Sequence, residues 1–302
     1  MAKINLSLHL GAHKTATTHL QRSLSAAKEM LIVNGVRYYG PDYFRRTGRS
    51  IDRMFGIGGT DGPPPRRTPA AQLAFLAKGA EHVLLSEENF IGGFDAPDNQ
   101  GAPGFYAAAE HRVTALVRQV DDIRLRLFLG VRDPADFLTS AYSQSLLTGR
   151  IATPRRFRAG HPLAAVDWAD LVARLRAVRG VRHIYVWRFE DHAEIAPLVL
   201  RRMMPGPVGR QVGLIDRRVN AALSARALAD VLARHKAGET GGLAEMARRA
   251  FPVGPRQPRL TIFDAGAHAL SLIRYADQLA RIDAIDGVTI LRPPAPRPAD
   301  KA

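Results

Sequence analysis

The chain has no cysteine, which excludes disulfides, thiolate metal sites and a cysteine nucleophile together. It also lacks any run of about 18 consecutive apolar residues, the length that a membrane-spanning helix needs. No leader-like hydrophobic region follows Met1-Ala2-Lys3; a strand-like run starts at once, at Ile4. A soluble, cytoplasmic protein is the expectation. Lysine is scarce, with six positions (Lys3, Lys14, Lys28, Lys78, Lys236 and Lys301) among 43 basic residues. Arginine supplies the rest, scattered in pairs such as Arg45-Arg46, Arg155-Arg156 and Arg248-Arg249. Aromatic residues make up 7% of the chain and do not interleave with those pairs, as a base-stacking surface requires. The formal net charge of +15 therefore favours anionic ligands in general, with no specific nucleic-acid partner expected.

At 302 residues and 46% hydrophobic composition, the chain is long enough for a sizeable core. Strand-like runs fall at 4–10, 36–39, 82–86, 124–131 and 183–189. Helical periodicity occupies about 16–34, 70–80, 105–120, 137–148 and 165–178. Strands alternating with helices of this length predict parallel βαβ units and hence an α/β doubly wound sheet. Ligands bind such sheets beyond the carboxyl ends of the strands. The last third reads as helical, at about 221–236, 241–250 and 265–283. One domain over 1–290 is expected, followed by a mobile tail over 291–302 marked by Pro293, Pro294, Pro296 and Pro298. Residues 45–69, rich in Gly, Pro, Arg and Asp, read as a long loop, either disordered or part of a substrate lid. Their Gly56-x-Gly58-Gly59 cluster follows no strand and opens no helix, so it is not a dinucleotide fingerprint.

Chemistry concentrates first in Gly11-Ala12-His13-Lys14-Thr15-Ala16-Thr17-Thr18, between the first strand and the first helix. Free backbone N–H groups at a helix start, the helix dipole and a lysine together make a site for phosphate or sulfate. The spacing is not that of a Walker A loop, because only two residues separate Gly11 from Lys14. The plainer alternative is an ordinary strand-to-helix turn with a solvated lysine.

The second concentration is Gly130-Val131-Arg132-Asp133-Pro134, where a strand runs into a helix, with Ser140 eight residues after the arginine. Arginine offers phosphate a planar fork of donors, and a hydroxyl adds another. The plainer reading pairs Arg132 with Asp133 or Asp136 at the helix start. A third stretch, Ser86-Glu87-Glu88-Asn89, closes the third strand.

These three stretches together resemble sulfotransferases that use 3′-phosphoadenosine 5′-phosphosulfate (PAPS). The resemblance implies a three-layer fold like that of P-loop nucleoside triphosphatases, with a central, mostly parallel sheet and a helical C-terminal third. It implies that residues 11–18 cradle the 5′ end of the donor, with Lys14 bridging the sulfuryl group and the leaving phosphate. Arg132 and Ser140 match the two positions that hold the 3′-phosphate. Ser86-Glu87-Glu88-Asn89 resembles the "Ser-x-Glu-Asn" of bacterial relatives, which makes Glu88 the implied base, with Glu87 and His13 as alternatives. Transfer of this kind needs no metal, and no metal ligand set is expected; His9, on the first strand, is read as packed.

Tyr185-Val-Trp-Arg-Phe-Glu-Asp191 and Arg218-Val-Asn-Ala-Ala-Leu-Ser224 resemble further segments of the bacterial and carbohydrate-type branch, although Ala222 stands where those have serine. The Gly-x-x-Gly-x-x-Lys element of cytosolic sulfotransferases is absent. The implied acceptor is a hydroxyl or amine on a small molecule or carbohydrate, which no motif identifies. Oligomeric state is equally unmarked. The rival readings are a small-molecule kinase using ATP-Mg and a basic nucleic-acid-binding protein.

Overall fold

Leu125, Leu127 and Leu129 alternate with Phe128 along one strand, and that period of two sends apolar side chains to both faces of a sheet. The structure, a computed structural model, describes residues 4–57, 65–96, 101–120, 123–216 and 222–294. Six strands form one sheet: β1 (Ile4–His9), β2 (Val36–Tyr39), β3 (His82–Ser86), β4 (Ile123–Val131), β5 (Val181–Arg188) and β6 (Val288–Leu291). Their order is β2-β3-β1-β4-β5-β6, and every pairing is parallel.

Helices cover both faces, giving the three layers expected. On one face Leu20 and Leu24 of Thr17–Ala26 join Ile195, Val199 and Met203 of His192–Met203 over Leu84, Phe128 and Trp187. On the other, Leu73, Val113, Phe137 and Leu171, each from a different helix, pack over Leu6, Leu8, Leu127 and Val186. Parallel strands are buried on both sides, which is why they read as nearly continuous apolar runs. Among the described residues no helix is long and apolar enough to cross a membrane.

The structure departs from the sequence reading in several places, among them the helices Pro154–Gly160 and His192–Met203, which that reading lacks. β6 is also absent from that reading: it follows the last of the three C-terminal helices, and Leu291, assigned to the tail, pairs with Trp187 of β5. Residues 295–302 of that tail lie outside the described residues. The first helix is two, Thr17–Ala26 and Lys28–Val33, which meet at Ala27. The reading of 45–69 as loop misses a helical turn, Ile51–Phe55, capped by the Ser50 hydroxyl and burying Ile51, Met54 and Phe55; residues 58–64 lie outside the described residues. The helix placed at 105–120 begins at Ala109.

Candidate functional site at the carboxyl ends of three strands

β1 lies between β3 and β4, so the segments following these three strands are neighbours. The order places 11–18, 87–89 and 132–133 at one edge of the sheet, where open α/β sheets bind ligands.

Gly11 and Leu10 both donate backbone N–H bonds to the Phe128 carbonyl, which ties the start of the loop to β4. Gly11 has φ +36°, and a Cβ there would lie 2.6 Å from Thr17 Oγ1 and 2.8 Å from His9 Nε2. Lys14 and Ala16 also take positive φ, +65° and +63°. Left-handed backbone costs a non-glycine residue about 1 kcal/mol or more, and strain of this kind collects at functional loops. Its effect is a concave run of amides. The N–H groups of residues 14–18 find no acceptor among the described residues, and Ala16, at the cap position of the helix, has no side chain to fill that role.

The side chains of the loop divide their tasks. Thr15 Oγ1 donates to the Ala12 carbonyl at 2.6 Å and packs against Gly130, where a Cβ would come within 2.8 Å of that hydroxyl. Thr17 Oγ1 also reaches the Ala12 carbonyl, at 3.4 Å. His13 donates its backbone N–H to the Tyr106 hydroxyl; that hydroxyl also meets His13 Nδ1 at 2.9 Å, and His13 Nε2 meets Asn89 Oδ1 at 3.1 Å. Asn89 Oδ1 only accepts, so Nε2 carries the proton and Nδ1 accepts from Tyr106. Lys14 Nζ donates to Gln144 Oε1 at 3.0 Å. Burial lowers the basicity of Lys14 and the Arg132 charge lowers it further, while Glu88 works the other way. Lys14 thus lies within electrostatic reach of both other segments.

The second segment starts a helix, Pro134–Leu147. Asp133 caps it by accepting the Asp136 N–H, with proline in the first turn. Asp133 Oδ2 also accepts from Ser271 at 2.7 Å, and its backbone N–H donates to Glu190 at 2.8 Å. The Trp168 indole donates to the Arg132 carbonyl at 2.8 Å. The strand-end motif Trp187-Arg-Phe-Glu190 thus supports this corner, with Phe189 beneath the Arg132 guanidinium at 4.2 Å.

Arg132 is 3% exposed. Its Nη1 donates to the Lys14 carbonyl at 3.1 Å, whereas Nε and Nη2 are buried without a hydrogen-bond partner. Asp136, the partner that the plainer reading offered, stays 3.8 Å from Nη2. Burial weakens the basicity of Arg132; Asp136 offsets part of this, and Arg259 adds to it. A buried cation with two unused donors is costly unless an anion completes it.

Ser140 lies on the same helix as Gln144, one turn earlier, and both line a cavity with Lys14, Ser143, Arg248 and Arg259. The two arginines come from the C-terminal third. Arg248 is held by Glu245 at 2.6 Å, while Arg259 is exposed and makes no ion pair among the described residues. No sequence motif marks either; Gln144 carries only the weak signal of its i+4 spacing from Ser140.

In the third segment the two glutamates separate. Glu87 is buried, caps the short helix Glu88–Ile91 by accepting the Asn89 N–H, and takes two bonds from Arg45. Glu88 accepts from Gln21 Nε2 at 2.8 Å and from Arg45 Nη2 at 2.6 Å. Burial alone would raise the Glu88 pKa, but the bonds from Gln21, its own backbone N–H and Arg45 outweigh this and hold it below the ordinary carboxylate value.

His9 is fully buried beneath the loop, with Nδ1 2.8 Å from Ser86 Oγ, as the packed reading expected. Burial lowers its pKa to about 4, with Glu88 opposing and His192 adding to the shift. A histidine neutral when folded and titrating at 6.5 when unfolded contributes stability that is complete above pH 6.5. That contribution is lost as pH falls towards 4 and amounts to about 3 kcal/mol. Replacing His9 with Gln is expected to reduce proton uptake on unfolding at pH 5 by about one proton per molecule. Urea titrations across that pH range measure it; an unchanged slope would mean that His9 is charged in the fold.

No family model matches the chain, and no curated protein does. Several solved structures match it. Among them is a sulfotransferase from Alicyclobacillus acidocaldarius, 19% identical, with a TM-score of 0.40 over 82% of this chain and 97% of that one.

Proposed function

We propose that this protein transfers a sulfuryl group from PAPS to a hydroxyl or amine of a small-molecule or carbohydrate acceptor. The observation that carries the reading is the Arg132 guanidinium, buried with two unused donors and bonded to the carbonyl of Lys14, whose side chain shares a cavity with Ser140. A donor with anionic groups at both its 5′ and 3′ positions suits such a divided site. The amides of 14–18 and the hydroxyls of Thr17 and Thr18 receive the 5′ end. Arg132 and Ser140 hold the 3′-phosphate, with Arg248 and Arg259 adding positive field.

In the transfer, an acceptor oxygen or nitrogen attacks sulfur as its proton passes to Glu88. The bond from sulfur to the bridging oxygen breaks, and that oxygen keeps the electron pair. Lys14 neutralises the charge that develops there. Glu88 suits the role of base better than Glu87, because Glu87 takes three hydrogen bonds and its side chain is 7% exposed, whereas Glu88 takes two from neighbouring side chains and is 14% exposed. His13 suits it less, because both its ring nitrogens have partners.

Isothermal titration with adenosine 3′,5′-bisphosphate, ATP-Mg and a DNA duplex tests the reading, with selective binding of the first expected. Stronger binding of ATP-Mg would favour a kinase, and steeply salt-dependent DNA binding a nucleic-acid protein. Arg132→Ala is expected to weaken adenosine 3′,5′-bisphosphate binding by about 2–3 kcal/mol, the scale of charged hydrogen bonds lost from a phosphate. Adenosine 5′-phosphosulfate, which lacks the 3′-phosphate, should lose little. Equal losses would mean that Arg132 acts through the Lys14 loop it holds.

A further inference from the structure

Arg45 lies just beyond the short helix Pro41–Phe44, at the start of the segment 45–69 that the sequence reads as a long loop. Its guanidinium spans the two carboxylates that end β3. Nε and Nη2 grip Glu87 at 3.3 and 3.1 Å, and Nη2 also meets Glu88 Oε1 at 2.6 Å. The glutamate side chains are 7% and 14% exposed, whereas that of Arg45 is 50% exposed. One arginine therefore covers two adjacent acidic groups that are largely removed from water.

Two buried carboxylates side by side oppose each other's ionisation unless a cation lies between them. Lys14, His9, Tyr38 and Tyr106 also act on Glu88 or respond to its charge. His9 is neutral near pH 7 and burial keeps both tyrosines protonated, so Lys14 and Arg45 are the cations that remain. Of these only Arg45 touches the carboxylates. Gln21 holds the other oxygen of Glu88, so the group is fixed from two sides. An oxygen bonded to Arg45 still has a lone pair for a proton from an acceptor.

We propose that Arg45 is a positioning residue that fixes the Glu88 carboxylate in one orientation and keeps it ionised beside Glu87. This rests on the reading of Glu88 as the base.

The test follows the carboxyl carbons of 13C-labelled glutamate by NMR as pH is varied, with the Glu88 signal identified by its loss in Glu88→Gln. Arg45→Gln is expected to move the Glu88 titration upwards by about one pH unit or more. Arg45→Lys should move it less, because a point charge cannot span both carboxylates as the planar fork does. It also serves if the glutamine variant does not fold. A Glu88 titration unchanged in a folded variant overturns the proposal. With an acceptor in hand, the acid limb of kcat/KM should shift by the same amount while adenosine 3′,5′-bisphosphate affinity stays constant. The titration uses neither donor nor acceptor, so a shift upholds Arg45 whatever the donor proves to be. Failure of donor binding overturns only the reading of the reaction.

Discussion

Lys14→Ala is expected to remove most donor affinity and to slow sulfuryl transfer by about 10²–10³, the loss typical when one preorganised electrostatic contact to a developing anion is deleted. The substitution tests charge rather than loop shape. Lys14 adopts φ +65°, and alanine meets the same left-handed penalty as lysine, so the backbone preference at this position is little changed. The bonds that tie the loop to its surroundings run through Gly11, His13, Thr15 and the Lys14 carbonyl, none of which needs the ammonium. What disappears is the cation that the loop itself carries, with its Gln144 bond. Titration with adenosine 3′,5′-bisphosphate and single-turnover transfer from labelled donor measure the two losses. The acceptor for the second comes from screening carbohydrate, lipid and small alcohol pools. Wild-type turnover in this variant would remove the loop from the mechanism.

Glu88→Gln is expected to leave donor affinity near normal and to lower the transfer rate by about 10²–10⁴, the usual cost of losing a general base. The amide keeps the size of the carboxylate and can still accept from Arg45 or Gln21, but it cannot take the acceptor's proton. Arg45 retains its two bonds to Glu87, so the fold around β3 should hold. Glu87→Gln should behave differently: it weakens the cap of the short helix Glu88–Ile91 and the Arg45 fork, so it lowers stability. Normal turnover in Glu88→Gln with loss in a folded Glu87→Gln would move the base one residue back. Activity in both would leave His13 as the next residue to replace.

Much of the architecture was legible in the chain because its signals are local. The apolar runs of β1, β3, β4 and β5 reflect burial on both faces of a parallel sheet, and Asp-Pro before a helical period announces a capped helix start. The strand-to-helix junction after β1 was legible for the same reason: an apolar run ends at Gly11, and helical periodicity starts within a few residues of it. β6 was not, because Val288-Thr-Ile-Leu291 is only four residues long, too short for its alternation to stand out, although Asp286-Gly287 marks a turn before it. Its identity as a strand comes from its pairing with β5, which only the fold supplies. Ile51–Phe55 escaped for a related reason, as one turn of helix among glycines and arginines stabilised by burial of its apolar side chains.

By itself, then, the sequence determined an α/β chain with a glycine, a lysine and three threonines at the junction of its first strand and first helix, and an arginine at the end of its fourth strand. Only the tertiary structure decided which side chains complete the site. Gln144 reaches Lys14 across 130 positions of the chain, Tyr106 reaches His13 across 93, and Arg45 reaches Glu87 and Glu88 from a segment without a motif. Arg248 and Arg259 arrive from a third of the chain that resembles nothing specific. The physical reason is that a hydrogen bond or ion pair depends on separation in space, and packing sets that separation for residues far apart in sequence. The two glutamates make the point most closely. Adjacent in sequence and alike in chemistry, they differ because the folded chain spends both oxygens of Glu87 on Arg45 and a helix cap, while Glu88 is gripped by a single Arg45 nitrogen and Gln21.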